Sequence, residues 1–203
     1  MTRPVSSDRS HFRYCPVCGA TLALREVGGR PRPCCDGCGF IQWRNPVVGV
    51  AGVIREGDIR ATLGEAASAG IETDPVDGIR ANPATNILLV RRANSFRGLW
   101  CLPCGYVEYD EEIRSALQRE LLEETGLRTQ IGSIVAVESN FHEPDKQSVG
   151  VWFHARPVGG RLHPGDDVDR IGFFPPEAPP ALAFPTDARV LDRLARGLDL
   201  PPR

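Results

Sequence analysis

The stretch RELLEETG, Arg119–Gly126, does most to narrow what this chain can fold into, because it ends a helically spaced segment in three carboxylates. At roughly 100° per residue, Ile113, Leu117 and Glu124 fall within about 60° of Glu120 on a helical wheel, and Glu123 lies about 60° to the other side. The apolar stripe that docks such a helix therefore runs straight into carboxylates, whereas a solvated acidic face would set them opposite it. Carboxylates three and four residues apart repel each other, and the C-terminal end of a helix favours cations. A partly buried carboxylate without a partner is costly or takes up a proton. A hard divalent cation answers all three objections, and Mg²⁺ in particular prefers a few carboxylates together with water and substrate phosphates. Arg119, four residues before Glu123, is spaced to hold one carboxylate. Asp110 is the expected N-cap of a helix from Glu111 to about Thr125, with Gly126 as its stop.

Around this helix the chain reads as α/β. The runs VVGVAGVI (Val47–Ile54), NILLVRR (Asn86–Arg92), SIVAVES (Ser133–Ser139) and SVGVWFHARP (Ser148–Pro157) predict strands. TDARVLDRLARGL, Thr186–Leu198, predicts a last helix with Val190, Leu191, Leu194 and Leu198 turned inward. The segment at about 55–85 is rich in glycine, alanine and turn residues and predicts a long surface loop without a packed element.

A chain of 203 residues can bury one core and carry a small appendage. The first 44 residues hold five of the seven cysteines and few large aliphatics. Within them CPVCG and CDGCG set two C-x2-C-G units sixteen residues apart, the spacing of a four-cysteine structural zinc site made of Cys15, Cys18, Cys35 and Cys38. Cys34 does not keep the two-residue spacing. Cys101 and Cys104 form a third C-x2-C with no second pair and are read as packing residues. A net charge of -2 gives no overall drive toward nucleic acid or membrane. No apolar run is long enough to span a bilayer, and MTRPVSSDRSHFRY lacks the apolar core of a secretory signal. A cytoplasmic location is therefore expected, where thiols stay reduced and close pairs favour metal over disulfide.

GYVEYDEEIRSALQRELLEETGL, Gly105–Leu127, resembles the complete Nudix box, G-x5-E-x7-R-E-U-x-E-E-x-G-U with U aliphatic, at nine fixed positions. The resemblance implies a Nudix α/β/α sandwich with a mixed sheet, acting as a hydrolase on a nucleoside diphosphate linked to another moiety, with Mg²⁺ or Mn²⁺. Carried across by position, it implies that Glu120, Glu123, Glu124 and the carbonyl of Gly105 hold the metal. Glu111 and Arg119 would orient the motif, and Glu123 is the leading candidate for the general base. Cys104 departs from the family's usual pair of glycines.

The cysteine-rich start resembles the zinc ribbon that precedes the Nudix domain in NADH pyrophosphatases. The implied domains are a zinc ribbon over 1–44 and a Nudix hydrolase domain over 45–203, with the loop insertion at about 55–85 and a C-terminal helix. The SQPWPFPxS-like stretch typical of NADH pyrophosphatases is replaced by ESNFHEPDKQSVGVWFHA. NADH is thus not the expected best substrate, while ADP-ribose, FAD, NAD(H) and dinucleotide-type conjugates all fit the reaction class. Arg91, Arg92 and Arg97 are expected phosphate contacts, Glu143 and Asp145 candidate extra acidic ligands, and Phe141 and Trp152 candidate base-stacking residues. His142 and His154 have no partner spacing. The expected partner is a small nucleotide conjugate, with no membrane, no nucleic acid and room for a homodimer. The alternative is a nucleotide-sensing or nucleic-acid-binding regulator, suggested by seven arginines against three acidic residues in 1–44. The intact carboxylate set favours the enzyme.

Overall fold

A computed structural model describes residues 12–64, 82, 84–141, 146–165 and 167–198. The chain divides into two compact units, Met1–Pro46 and Val47–Arg203. In the first, β1 (Ala23–Val27) and β2 (Arg30–Cys34) pair antiparallel from Ala23↔Cys34 to Val27↔Arg30. Gly28 and Gly29 join them with φ of 60° and 72°, the left-handed pair that a two-residue type I′ hairpin requires. Tyr14 bridges to Thr21 and Ile41 to Cys34, extending the ribbon on both sides. Its buried core is Cys15, Leu22 and Cys35, with Phe40 packed against them, far too little apolar surface to offset chain entropy alone.

The second unit runs β3 (Val47–Val53), α1 (Glu56–Leu63), β4 (Ile87–Arg92), β5 (Trp100–Cys101), β6 (Cys104–Tyr106), α2 (Ile113–Thr125), β7 (Leu127–Asn140), β8 (Ser148–Gly160), β9 (Val168–Phe174) and α3 (Pro185–Ala195). One sheet has the order β6-β3-β8-β7 and is mixed, because β3 and β8 run parallel while the other pairs are antiparallel. The other is antiparallel, β5-β4-β9.

Alternation along the strands feeds two cores. Val50, Leu88, Val90, Val151 and Phe153 face one, with Ala116, Leu117 and Leu121 of α2. Ala51, Ile87, Leu89, Trp152 and Phe174 face the other, with Val190 and Leu191 of α3. Strands buried on both faces read as continuous apolar runs, which is why they were legible. The result is the α/β/α sandwich with a mixed sheet. Among the described residues no helix is long and apolar enough to cross a membrane.

Three local expectations need correction. The segment at 55–85 is not loop throughout. Glu56–Leu63 is helix α1, anchored by Ile59 in the core and by buried Glu56, which pairs with Arg60 and accepts from Asn86 Nδ2 at 2.9 Å. Residues 65–81 and 83 of that segment lie outside the described residues. Asp110 does not cap α2: it sits at φ 65°, while Glu112 is the N-cap and accepts from the backbone N–H groups of Arg114 and Ser115 at 2.8 and 3.0 Å. Leu198 lies beyond the end of α3 and is exposed, so the inward stripe is Val190, Leu191 and Leu194.

Candidate active site

Helix α2 is seated on β3 where a side chain is missing. A Cβ on Gly52 would meet Leu121 Cδ2 at 2.9 Å, so glycine lets Leu121 reach the sheet and fixes the rotation of the helix. That rotation carries Glu120 and Glu124 inward, against β6. Glu120 lies so close to Gly105 that a Cβ there would stand 1.9 Å from its carboxyl carbon. Glu124 is 3 % exposed and accepts the backbone N–H of Cys104 at 2.9 Å. At the end of α2, Gly126 adopts φ 70° and its N–H bonds to Leu122 O, closing the helix as expected.

Arg119 organises the outer side. Its guanidinium makes a two-pronged pair with Glu111 at 2.9 and 3.0 Å and donates to Glu120 at 2.7 Å, Glu123 at 3.1 Å and the Tyr106 carbonyl at 3.1 Å. Arg119 holds the Glu111 carboxyl below the usual carboxylate range. Glu123 is exposed and spends its carboxylate on Arg119, at the rim rather than on the cavity wall.

The inward glutamates face a cavity of about 440 Å³ that also takes in Arg92, Asp167, Lys146 and the aromatic rings of Phe96, Phe184, Tyr106 and Trp152. Asp167 accepts from Arg92 Nη2 at 3.0 Å, and Arg92 lies 5.5 Å over the ring of Phe184. Phe184 meets Phe96 edge-on at 5.4 Å. Lys146, the single lysine of the chain, sits 3.8 Å over Tyr106. Burial pushes Glu124 up to about 8, with the negative charges of Asp167 and Glu120 adding to it. Burial also raises Glu120, against the pull of Arg119. Among the described residues, Glu120 and Asp167 on this cavity have arginine partners while buried Glu124 has none, and a divalent cation would supply the charge that Glu124 lacks.

Sequence reasoning found Glu120 and Glu124 but missed Asp167, Lys146 and Asp187, which lines the same cavity from α3. Asp187 is buried and accepts from Leu102 N at 3.0 Å and Trp152 Nε1 at 3.1 Å, and burial pushes it up to about 7. Of the three arginines expected at phosphate, Arg92 lines the cavity. Arg91 points to the other face and pairs with Asp169 at 2.7 Å, and Arg97 also acts on Asp169. Trp152 is in the wall with its indole N–H on Asp187, while Phe141 is exposed to solvent. His142, Glu143 and Asp145 lie outside the described residues. Cys101 is buried and Cys104 half-buried beside Glu124, consistent with packing.

In the first unit the sulfurs of Cys15, Cys18, Cys35 and Cys38 lie within 4.8 Å of one another. Cys15 and Cys38 are 3.5 Å apart and Cys18 and Cys35 3.4 Å, close to the roughly 3.8 Å edge of a tetrahedron with zinc–sulfur bonds of about 2.3 Å. Burial opposes ionisation of Cys15, but N–H groups of Cys18 and Val17 bring it down to about 7. The N–H of Phe40 favours a thiolate at Cys38, yet the neighbouring cysteines, Cys15 foremost, push it up to about 12. Four thiols in this space cannot all ionise without a cation. Cys34 stays out of the cluster, its thiol on the Arg32 carbonyl at 3.5 Å.

A family model described as NUDIX domain matches residues 73–194, more than half of the chain. The chain is 35 % identical over 118 residues to an ADP-ribose pyrophosphatase of Methanocaldococcus jannaschii, covering 58 % of this chain and 70 % of that protein. It is 33 % identical over 118 residues to the 8-oxo-dGDP phosphatase NUDT18 of Mus musculus, covering 56 % of this chain and 34 % of that one. Among solved structures, a NUDIX hydrolase from Nitrosomonas europaea superposes with a TM-score of 0.67 at 26 % identity, over 91 % of both chains. That share exceeds what the second unit alone makes up, so the likeness reaches into the cysteine-rich unit. The MutT protein from Methanosarcina mazei Go1, at 22 % identity, shares the fold with a TM-score of 0.55 over 77 % of this chain and 99 % of that one.

Proposed function

The chain belongs to the Nudix family of hydrolases, and from that premise we propose that it cleaves the pyrophosphate linkage of a nucleoside diphosphate conjugate, ADP-ribose before the others, to two monophosphates. The observation that carries this reading is the meeting of Glu120, Glu124 and Asp167 with Arg92 around one cavity that also has aromatic walls. A diphosphate needs cations and carboxylate-bound metal at one end, and a nucleoside needs rings at the other; this cavity offers both.

Mg²⁺ or Mn²⁺ held by Glu120, Glu124 and the carbonyl of Gly105, with Glu123 completing the acidic set at the rim, would polarise the phosphoryl oxygens and stabilise the leaving phosphate. The chain's own groups do the rest. Arg92 and Lys146 take phosphate oxygens that the metal leaves unshared. Asp167, kept in place by Arg92 on the cavity wall, joins Glu123 as a candidate to take a proton from the attacking water. Arg119 and Glu111 hold the end of α2 so that Glu120 stays against Gly105. Phe184 and Phe96 offer ring faces and edges to the base. Zn²⁺ on Cys15, Cys18, Cys35 and Cys38 is structural, since four thiolates leave no open coordination position.

The test is a panel of ADP-ribose, FAD, NADH, a dinucleoside polyphosphate, 8-oxo-dGDP and a phosphomonoester, assayed with Mg²⁺ and with Mn²⁺, with products resolved by chromatography. AMP and ribose 5-phosphate from ADP-ribose support the reading. Inorganic phosphate from the monoester as the main activity overturns the reaction class, and 8-oxo-dGDP as the best substrate overturns the conjugate.

A further inference from the structure

The overall charge of -2 conceals an uneven distribution. Residues 1–46 carry seven arginines against three acidic residues, a net +4, and residues 47–203 carry -6. Within the ribbon the hairpin sets three of these arginines, Arg25, Arg30 and Arg32, on one face. Arg25 and Arg32 are direct cross-strand partners, so their side chains leave the hairpin on the same side. Beyond β2 the returning chain makes an isolated bridge, Ile41 opposite Cys34, with Gln42 N on Pro33 O at 2.9 Å. This register sets Trp43 opposite Arg32, and the Arg32 guanidinium lies 4.3 Å over the indole. Arg30, two residues before Arg32 on β2, shares the face by alternation. The row across β1, β2 and the segment that bridges to β2 is therefore Trp43, Arg32, Arg25, with Arg30 beside it.

Three properties of this row point to one class of partner. Trp43 is 56 % exposed although Arg32 covers one side of its ring, so an indole face stays open to solvent. An exposed tryptophan held rigid by a guanidinium is a stacking platform. Among the described residues the acidic group paired with this row is Asp36, which is exposed and pairs with Arg25, and such a surface pair yields easily to a competing phosphate. The row also contributes nothing to the ribbon's core, which lies among Cys15, Leu22 and Cys35. Single-stranded nucleic acid is recognised by alternating planar rings and cations that track its phosphates, whereas an acidic protein offers the charge without the bases. We propose that this face of the ribbon binds single-stranded nucleic acid, with Trp43 stacking a base and Arg25, Arg30 and Arg32 meeting phosphates, independently of hydrolysis in the second unit. The expectation that nucleic acid is not a partner rested on the chain's net charge and on the intact carboxylate set of the second unit, neither of which bears on the face of the ribbon.

The experiment uses the full chain, loaded with zinc, and a fluorescein-labelled oligouridylate of about 12 nucleotides. Anisotropy reads affinity, and tryptophan emission reads stacking, because Trp100 and Trp152 are buried while Trp43 is not. Binding is expected to quench the exposed tryptophan and to weaken roughly twentyfold between about 50 and about 200 mM salt, as about three phosphate contacts require. Trp43→Ala is expected to weaken binding about tenfold while Trp43→Phe largely preserves it. Both are expected to keep their zinc and wild-type hydrolysis of small conjugates. Unchanged affinity in Trp43→Ala, no binding at the lower salt, or polyglutamate binding as tightly as the oligonucleotide overturns the proposal, the last in favour of an acidic protein. Should Trp43→Ala lose zinc, the Arg25→Gln, Arg30→Gln double variant carries the test: a salt slope shallower by about 1.4 supports it, and an unchanged slope overturns it.

Discussion

At Gly105 a hydrogen stands where every other residue has a carbon, and the site depends on it. A methyl group there would occupy the position of the Glu120 carboxylate, which is the far end of a flexible side chain and can swing away at little cost. Gly105→Ala is therefore expected to leave thermal stability within about 1 kcal/mol of wild type while lowering kcat/KM by orders of magnitude and weakening Mn²⁺ binding; a variant that is unstable yet fully active contradicts the packing described. Glu124→Gln removes the most costly buried charge. In the absence of divalent cations it is expected to raise Tm, and with them to abolish turnover, measured by calorimetry and by the substrate panel.

Asp187 makes a pH prediction. Burial raises its folded pKa to about 7 from the ordinary 3.8, so the folded state holds a proton that the unfolded chain has released. Stability from this group is complete below about pH 4 and falls as pH rises toward 7. Urea midpoints are expected to drop across that window, and Asp187→Asn to flatten the drop. Asparagine loses one of the two accepted N–H bonds at every pH, so the slopes rather than the absolute values are compared.

Helix α2 illustrates what an element's sequence can and cannot disclose. Its glutamates were legible because helical spacing forces them onto the apolar side, a conflict that spacing alone exposes. Its start was not, since Asp110 and Glu112 are both acceptable acidic caps and only the backbone separates them: Asp110 is left-handed and Glu112 extended. Glu112→Ala is accordingly expected to cost about 1 kcal/mol in chemical denaturation and Asp110→Ala not to remove a cap. Helix α1 was missed because its eight residues, EGDIRATL, offer only Ile59 and Leu63 toward the core, too short an apolar pattern to stand out, and its anchor, Glu56 on Asn86, joins residues thirty apart. Asp167 and Lys146 escaped for the same reason. Each stands in a connecting segment with no motif spacing to mark it, and only the packing of β9 against β4 and the lead into β8 brings them to the glutamates.

For the whole molecule, the two units have separate cores and offer a metal different donors, four cysteines in the first and carboxylates in the second. Stripping zinc with a strong chelator is expected to expose the first unit to limited proteolysis near Cys15–Cys38 while hydrolysis of small conjugates, assayed in excess Mg²⁺, survives in the second. Loss of that hydrolysis in step with zinc release would show that the catalytic unit needs the ribbon. The parallel pairing of β3 with β8 bears on how such a chain comes into being. The ribbon's contacts span a few tens of residues and can form as soon as they are made, but β3 pairs through Val47↔Ser148 with a strand about a hundred residues later, and its other neighbour, β6, also follows it. Until the ribosome has passed β6, this apolar strand has no partner on either side, and until it has passed β8 one of its two edges stays open. The second unit therefore completes its native sheet late, after a loop-closure delay typical of non-local strand pairing, and until then the open edge of β3 is what chaperones must keep from pairing with another copy of itself.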